Sequence, residues 1–175
     1  EWCASLRPLA EARAVGFAVE LTALEDVLAS EEGADAPARL KRHLWRAWSE
    51  RNATHALLVG DADVFPVRFM ALDRCTAPAF DTAFYPSDLY YADVAEADGS
   101  LDDWNAEQDG HHARYFGEVR GECTKDTRID FDRVSYVPEL AVGRWPVSSA
   151  EELAALVAKT LAWHAPEQGR ALFVH

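Results

Sequence analysis

The feature that most constrains the fold is a short apolar run, Ala56-Leu57-Leu58-Val59, which ends abruptly at Gly60. An uninterrupted apolar run of this length, closed by a glycine, is typical of a β-strand buried on both faces of a sheet. Asp61 and Asp63 follow, so we expect them at the carboxyl end of the strand. In open α/β sheets that edge is where ligands bind and chemistry occurs. The simpler interpretation is a buried strand followed by an ordinary polar turn.

The residues before this run have a helical pattern. The spacing predicts a helix over residues 37–50 with Pro37 in its first turn. Its core-facing stripe consists of Leu40, Leu44, Ala47 and Trp48. The basic side chains off this stripe are most simply a solvated face: Lys41, Arg42, Arg46 and Arg51. Residues 15–21 alternate and predict an earlier strand, so strand, helix and strand form a parallel crossover unit.

The remaining patterns extend the α/β prediction. We expect short strands at 67–71 and 87–93 with an extended loop between them, and an apolar stretch at 134–142. A second helix is predicted to begin at Ser148, with Glu151 at capping-box spacing, and to end before Pro166. Residues 172–174 begin another strand, so we expect the chain to be a piece of a longer parent protein. The prediction is one α/β subdomain over 1–175, a three-layer sandwich with a mainly parallel sheet.

The negative net charge argues against nucleic acids and anionic membranes as partners. The net charge is -13 and the pI is about 4.8, whereas nucleic-acid and anionic-membrane surfaces need clustered Lys and Arg. No apolar run reaches the roughly 20 residues of a membrane span. The three cysteines, Cys3, Cys75 and Cys123, include no CxxC pair, which argues against a zinc site and leaves their disulfide state open.

An acidic insert at about residues 93–132 is a candidate calcium site. Calcium takes six to eight oxygen ligands, and alternating Asp and Asn near a turn-forming glycine can supply them from one loop. The spacing is not that of an EF-hand, and the alternative is a solvated acidic loop. The candidate ligands are Asp98, Asp103, Asn105, Glu107, Asp109 and Glu118.

A second constellation places carboxylates and one arginine beside predicted strand ends. Arg144 lies between Gly143 and Trp145, so we expect it to be partly buried and to need a carboxylate partner. Asp61 is the first candidate and Asp88 the second. We interpret this as a structural ion pair rather than a catalytic group. A dyad of Cys75 with His111 or His112 is conceivable, although nothing local supports it.

The order of these motifs resembles the gingipain-like cysteine peptidases of the caspase-like group. The resemblance is carried by LLVGDADVFP, SDLYYAD, a Trp-Asn…Asp-Gly…Gly-Glu acidic loop, and ELAVGRWPVSSAEELAALVAKTLAWH. It runs from about Gly16 to Phe173. It implies a catalytic domain of two α/β halves, of which this chain matches the first. The family's catalytic histidine, in a His-Gly pair, and its catalytic cysteine belong to the second half, and this sequence has no His-Gly pair.

The resemblance therefore implies a parent cysteine endopeptidase whose amino-terminal half supplies scaffold and a wall of the substrate cleft. This chain lacks the Cys/His dyad, so no catalytic residue is carried over. The implied partners are the downstream catalytic half and a protein or peptide substrate. The resemblance also favours calcium and a secreted or cell-surface location. The alternatives are a non-catalytic caspase-like module for binding or assembly, and an unrelated calcium-binding α/β domain.

Overall fold

A computed structural model describes residues 2–73, 82–116 and 132–163. The chain divides into two compact units, one of residues 1–23 with 147–175 and one of residues 24–146. In chain order the elements are α1 Trp2–Arg13, α2 Leu24–Ser30, α3 Ala36–Arg51, β1 His55–Val59, β2 Arg68–Asp73, β3 Thr82–Ser87, α4 Leu89–Ala92, β4 His112–Phe116, β5 Ala141–Trp145 and α5 Ala150–Ala162. The fold is mixed α/β, as predicted.

The first unit pairs α1 with α5, and Leu9, Leu153 and Val157 are buried within it. The predicted strand at 15–21 was wrong, because residues 14–17 form a turn and a bend and the following residues have no regular structure. Its alternating apolar side chains are exposed, and Val15 reaches 94%. Alternation alone does not form a strand, because a strand also needs a neighbour for its backbone N–H and C=O groups.

Helix α5 confirms the second predicted helix, but its cap lies one residue later than predicted. Ser149 is the N-cap, and its hydroxyl accepts a hydrogen bond from the Glu152 backbone N–H at 3.2 Å. The Glu152 carboxylate accepts from the Ser148 N–H at 2.8 Å. The reciprocal cap therefore uses Ser149 and Glu152 rather than Ser148 and Glu151.

Helix α3 confirms the predicted helix over 37–50. Asp35 caps it by accepting a hydrogen bond from the Ala38 N–H, and Asn52 closes it in a left-handed conformation. Leu40 and Leu44 are buried, as the stripe predicts. The solvated face was wrong at Lys41, whose exposed fraction is only 1%.

Strands β1 and β5 pair in parallel, and the register sets Leu57 opposite Gly143 and Leu58 opposite Arg144. Leu58 is buried, but Leu57 is 43% exposed. Burial of this strand on both faces was therefore wrong for the part of the chain that the structure describes. One face of the pair packs on the core, while Leu57 lies on the other.

A second sheet has the strand order β3-β2-β4, with β2 antiparallel to β3 and parallel to β4. The predicted strand at 67–71 is confirmed as β2. The predicted loop at 72–86 was wrong over residues 82–86, which belong to β3. Strand β4 lies inside the acidic insert, where no periodicity had indicated one.

The predicted strand at 87–93 was wrong, because residues 89–92 form the short helix α4. Its turn is closed by hydrogen bonds from the Tyr91 N–H to the Asp88 carbonyl and from the Asp93 N–H to the Leu89 carbonyl. Tyr90 and Tyr91 enter the core of the second unit together. That core consists of Val27, Leu40, Leu44, Leu58, Met70, Tyr90, Tyr91, Val94, Trp104, Ala113, Val134 and Leu140.

The two small sheets can be compared with the mainly parallel sheet and three-layer sandwich predicted from the sequence. Parallel pairing is present in β1–β5 and in β2–β4, whereas the three-layer sandwich stays a prediction. The predicted strand at 172–174 lies outside the described residues. Of the apolar stretch at 134–142, only residues 141 and 142 lie in a strand, β5, which continues to Trp145. No described helix is long and apolar enough to cross a membrane.

Candidate functional site

The carboxyl end of the β1–β5 pair is held by one guanidinium. Arg144 donates two hydrogen bonds of 2.7 Å to the two carboxylate oxygens of Asp88. It also donates to the backbone carbonyls of Gly60, at 2.8 Å, and Pro66, at 3.1 Å. The planar fork of an arginine suits this bidentate arrangement, which an ammonium cannot reproduce. The side chain is only 12% exposed.

Asp88 is thus the carboxylate that the structure places against Arg144, and it was the second of the two candidates. Asp88 precedes α4, and its side chain is 32% exposed. Asp61, the first candidate, binds its own neighbour instead. Its carboxylate accepts a hydrogen bond of 2.7 Å from the Ala62 N–H. The choice depended on where α4 brings Asp88, which the predicted strand at 87–93 did not anticipate.

A buried lysine forms a second notable site, which the sequence reasoning missed. The Lys41 Nζ lies 4.2 Å from the centroid of the Tyr90 ring and 4.5 Å from that of Trp104. It has no hydrogen-bond partner among the described residues. Burial lowers the pKa of Lys41 to about 7, against the opposing attraction of Asp102, Asp93 and Asp103. No motif in the sequence distinguishes Lys41 from the more exposed basic residues Arg42, Arg46 and Arg51.

Two carboxylates near Lys41 are also buried. Burial raises the pKa of Asp102 to about 6, although its hydrogen bond from the Trp104 N–H lowers it. Burial likewise raises the pKa of Asp93, while a hydrogen bond from Ser135 opposes the rise. Cation–π attraction and nearby carboxylates favour the ammonium form of Lys41, whereas loss of water disfavours it. Lys41, Asp93 and Asp102 therefore form a cluster of buried ionisable side chains, and Lys41 does not belong to the solvated face of α3.

A second arginine, Arg68, is buried and forms a bidentate pair with Asp35 at 2.8 and 3.0 Å. Burial acts to raise the pKa of Asp35, but hydrogen bonds from Arg68 and the Ala38 N–H bring it below its usual value. Arg68 therefore ties the start of α3 to β2. Neither Arg68 nor Asp35 is among the residues for which a direct contact with Arg144 is described.

Three of the predicted calcium ligands accept hydrogen bonds from their own stretch of backbone. Asp98, Asp103 and Asp109 each accept a hydrogen bond from a backbone N–H two residues further along the chain. Within residues 2–73, 82–116 and 132–163, no three His, Cys, Asp or Glu residues are grouped to hold a metal ion. Glu118 lies outside the described residues. The calcium site stays a prediction.

The conceivable Cys–His dyad cannot be placed, because Cys75 and Cys123 lie outside the described residues. Cys3 is a free, partly buried thiol on α1. Burial lowers the pKa of His112 to about 4, so this imidazole is neutral at pH 7. The Nδ1 of His111 lies 3.7 Å from an oxygen of Asp109.

The fold and the sequence together define the class of protein. A mixed α/β chain with parallel strand pairs is consistent with a caspase-like peptidase. The chain belongs to peptidase family C25, the gingipain family, whose model matches residues 1–174. The resemblance drawn from the motifs is thereby confirmed, and the family implies cysteine-peptidase chemistry on protein substrates. No curated protein and no solved structure shows significant similarity to the chain.

Proposed function

We propose that this chain is the amino-terminal half of a gingipain-like cysteine peptidase domain and does not hydrolyse peptides by itself. It provides scaffold and one wall of the substrate cleft, while the downstream half supplies the thiolate nucleophile and the histidine. The observation that carries the proposal is the family match across residues 1–174 in a sequence without a His-Gly pair.

The geometry of the chain is compatible with a scaffold role. The described residues of the unit that contains Cys3, 2–23 and 147–163, include no histidine. In the other unit, the Arg144 guanidinium is already engaged with the Asp88 carboxylate and with two backbone carbonyls. A network of this kind fixes the geometry of the edge of the β1–β5 pair.

The test compares this chain with the longer polypeptide that continues past His175 into the proposed catalytic half. Both are assayed on a mixture of fluorogenic peptides, with and without a thiol alkylator. The matched control is the longer polypeptide with Cys3, Cys75 and Cys123 all changed to Ala. We expect hydrolysis only by the longer polypeptide, full sensitivity to the alkylator, and retained activity in the triple variant.

Other results would redirect the interpretation. Hydrolysis by the short chain, or loss of activity in the triple variant, would place the nucleophile within these residues, and single substitutions would identify it. No hydrolysis by either polypeptide on a peptide mixture covering all residue types, after activation by limited proteolysis, would favour the non-catalytic binding or assembly module.

A further inference from the structure

The loop of residues 60–66, which follows β1, is held at both ends by the same side chain. The Arg144 guanidinium binds the carbonyl at the first residue, Gly60, and the carbonyl at the last residue, Pro66. Asp88 fixes the guanidinium from the other side through two hydrogen bonds. Removing the fork of Arg144 would therefore take away one hydrogen bond from each end of the loop.

Further contacts reinforce this arrangement. The Tyr91 hydroxyl donates a second hydrogen bond to the Pro66 carbonyl at 2.9 Å. The Arg144 guanidinium lies 5.3 Å from the centroid of the Phe65 ring. Inside the loop, the N–H groups of Val64 and Phe65 donate to the Asp61 carbonyl at 2.9 and 2.8 Å. The loop is thus a turn closed by its own backbone at Asp61 and held from outside at Gly60 and Pro66.

The middle of the same loop is open to solvent. Residues 61–64 are all exposed, whereas Phe65 and Pro66 are half-buried. The loop lies at the carboxyl end of parallel strand β1, the edge at which α/β sheets bind their ligands. A rigid base with an exposed middle is typical of recognition loops carried on a scaffold.

We propose that Arg144 is a positioning residue that, with Asp88, holds loop 60–66 as a wall of the substrate cleft and thereby sets how tightly the peptide substrate binds. This inference rests on the proposed function and deepens it, because it names the segment that forms the wall. A loop ordered before binding costs less conformational entropy when the substrate docks. Loosening it should weaken substrate binding more than the chemical step, since the nucleophile lies elsewhere.

The test uses two arginines, each in a bidentate pair with an aspartate, as a matched pair. Arg144→Lys and Arg68→Lys each replace a bidentate fork with a point charge, but only Arg144 binds loop 60–66. In the longer polypeptide we expect Arg144→Lys to raise KM about tenfold with kcat within about twofold. Arg68→Lys should lower the melting temperature similarly and leave KM unchanged. Asp88→Asn, which keeps an oxygen acceptor without the charge, should give an intermediate KM.

Hydrogen exchange on the 175-residue chain tests the clamp without any need for activity. The Val64 and Phe65 amides should exchange slowly in the wild type and in Arg68→Lys, but faster in Arg144→Lys and Asp88→Asn. Unchanged exchange, equal KM shifts in the two lysine variants, or a fall in kcat alone would overturn the inference. If the longer polypeptide hydrolyses peptides while these changes are absent, the proposed function stands and the positioning role fails. If no polypeptide hydrolyses peptides, both fail.

Discussion

At the residue scale, the side chain that departs furthest from its sequence-based interpretation is Lys41. It follows Leu40 directly on α3, yet its ammonium is enclosed between Tyr90 and Trp104 with no hydrogen-bond partner in the described part of the chain. A buried ammonium without such a partner disfavours its own charged form. The folded protein is therefore more stable when Lys41 can lose its proton.

The lowered pKa of Lys41 should make the stability of the protein depend on pH. The pKa of Lys41 is about 7 when folded and about 10.4 in an unfolded chain. Between these values the unfolded state binds more protons, so the free energy of unfolding rises with pH. From pH 7 to pH 9 we expect a gain of about 2 kcal/mol in the wild type that Lys41→Met lacks. Urea unfolding at the two pH values measures it.

Lys159→Met is the matched control for this experiment. Lys159 is exposed on α5, so its removal should leave the wild-type dependence on pH intact. The same gain in Lys41→Met as in the wild type would show that the Lys41 ammonium is not buried in solution.

At the scale of the element, the turn that ends β1 depends on a glycine. Gly60 has a φ of +145°, and an added Cβ would lie 2.7 Å from the Phe65 Cβ. Gly60→Ala should therefore lower the free energy of unfolding by about 1–3 kcal/mol, as measured by urea denaturation. Gly99 is the control, since its φ is +84° but nothing lies within 4 Å of an added Cβ. Gly99→Ala should cost less, and equal losses would contradict the close contact with Phe65.

The beginning of α5 offers a sharper test of register. Ser149→Ala removes the hydroxyl that accepts from the Glu152 N–H and should cost about 1 kcal/mol. Ser148→Ala keeps the backbone N–H that binds the Glu152 carboxylate and leaves the Ser149 cap intact. Thermal melts of the two variants decide whether the N-cap is Ser148 or Ser149. A larger loss for Ser148→Ala would support the cap one residue earlier.

At the scale of the whole molecule, the calcium hypothesis makes a simple prediction. An ion that binds only the folded state must raise the melting temperature by mass action. We expect a higher melting temperature in calcium than in chelator, and loss of that difference in Asp109→Ala. Asp26→Ala, on α2 and outside the insert, should retain it. Identical melts in calcium and chelator would exclude the site.

Local patterns predicted some elements well and others poorly. Helix α3 was predicted from an apolar stripe with Pro37 in its first turn, and α5 from capping-box spacing and the stop at Pro166. These signals lie within a few neighbouring positions of the sequence. The strand at 15–21 and the strand at 87–93 failed, because a short alternating or apolar segment becomes a strand only when a neighbour pairs with it. Residues 89–92 instead formed a helical turn that buries Tyr90 and Tyr91 in the core.

At the candidate site, too, some features could be predicted from the local sequence and others depend on tertiary contacts. That Arg144 needs a carboxylate follows from its apolar neighbours, because a buried guanidinium must be paired. That the carboxylate is Asp88 rather than Asp61 follows only from the position of α4. The burial of Lys41 likewise depends on Trp104, which lies more than sixty positions away in the sequence.

By itself, the sequence determined the α/β class, the two main helices, the parallel strand that ends before Gly60, the need of a partly buried Arg144 for a carboxylate, and membership of a peptidase family. Hydrophobic periodicity and helix caps involve residues that are close together in the sequence, so they can be recognised without coordinates. The order of the family motifs along the chain can likewise be recognised from the sequence alone. Only the tertiary structure decided which carboxylate meets Arg144, that one guanidinium holds both ends of loop 60–66, and that Lys41 is buried. Each of these depends on contacts between segments far apart in the chain, whose energies no local pattern encodes.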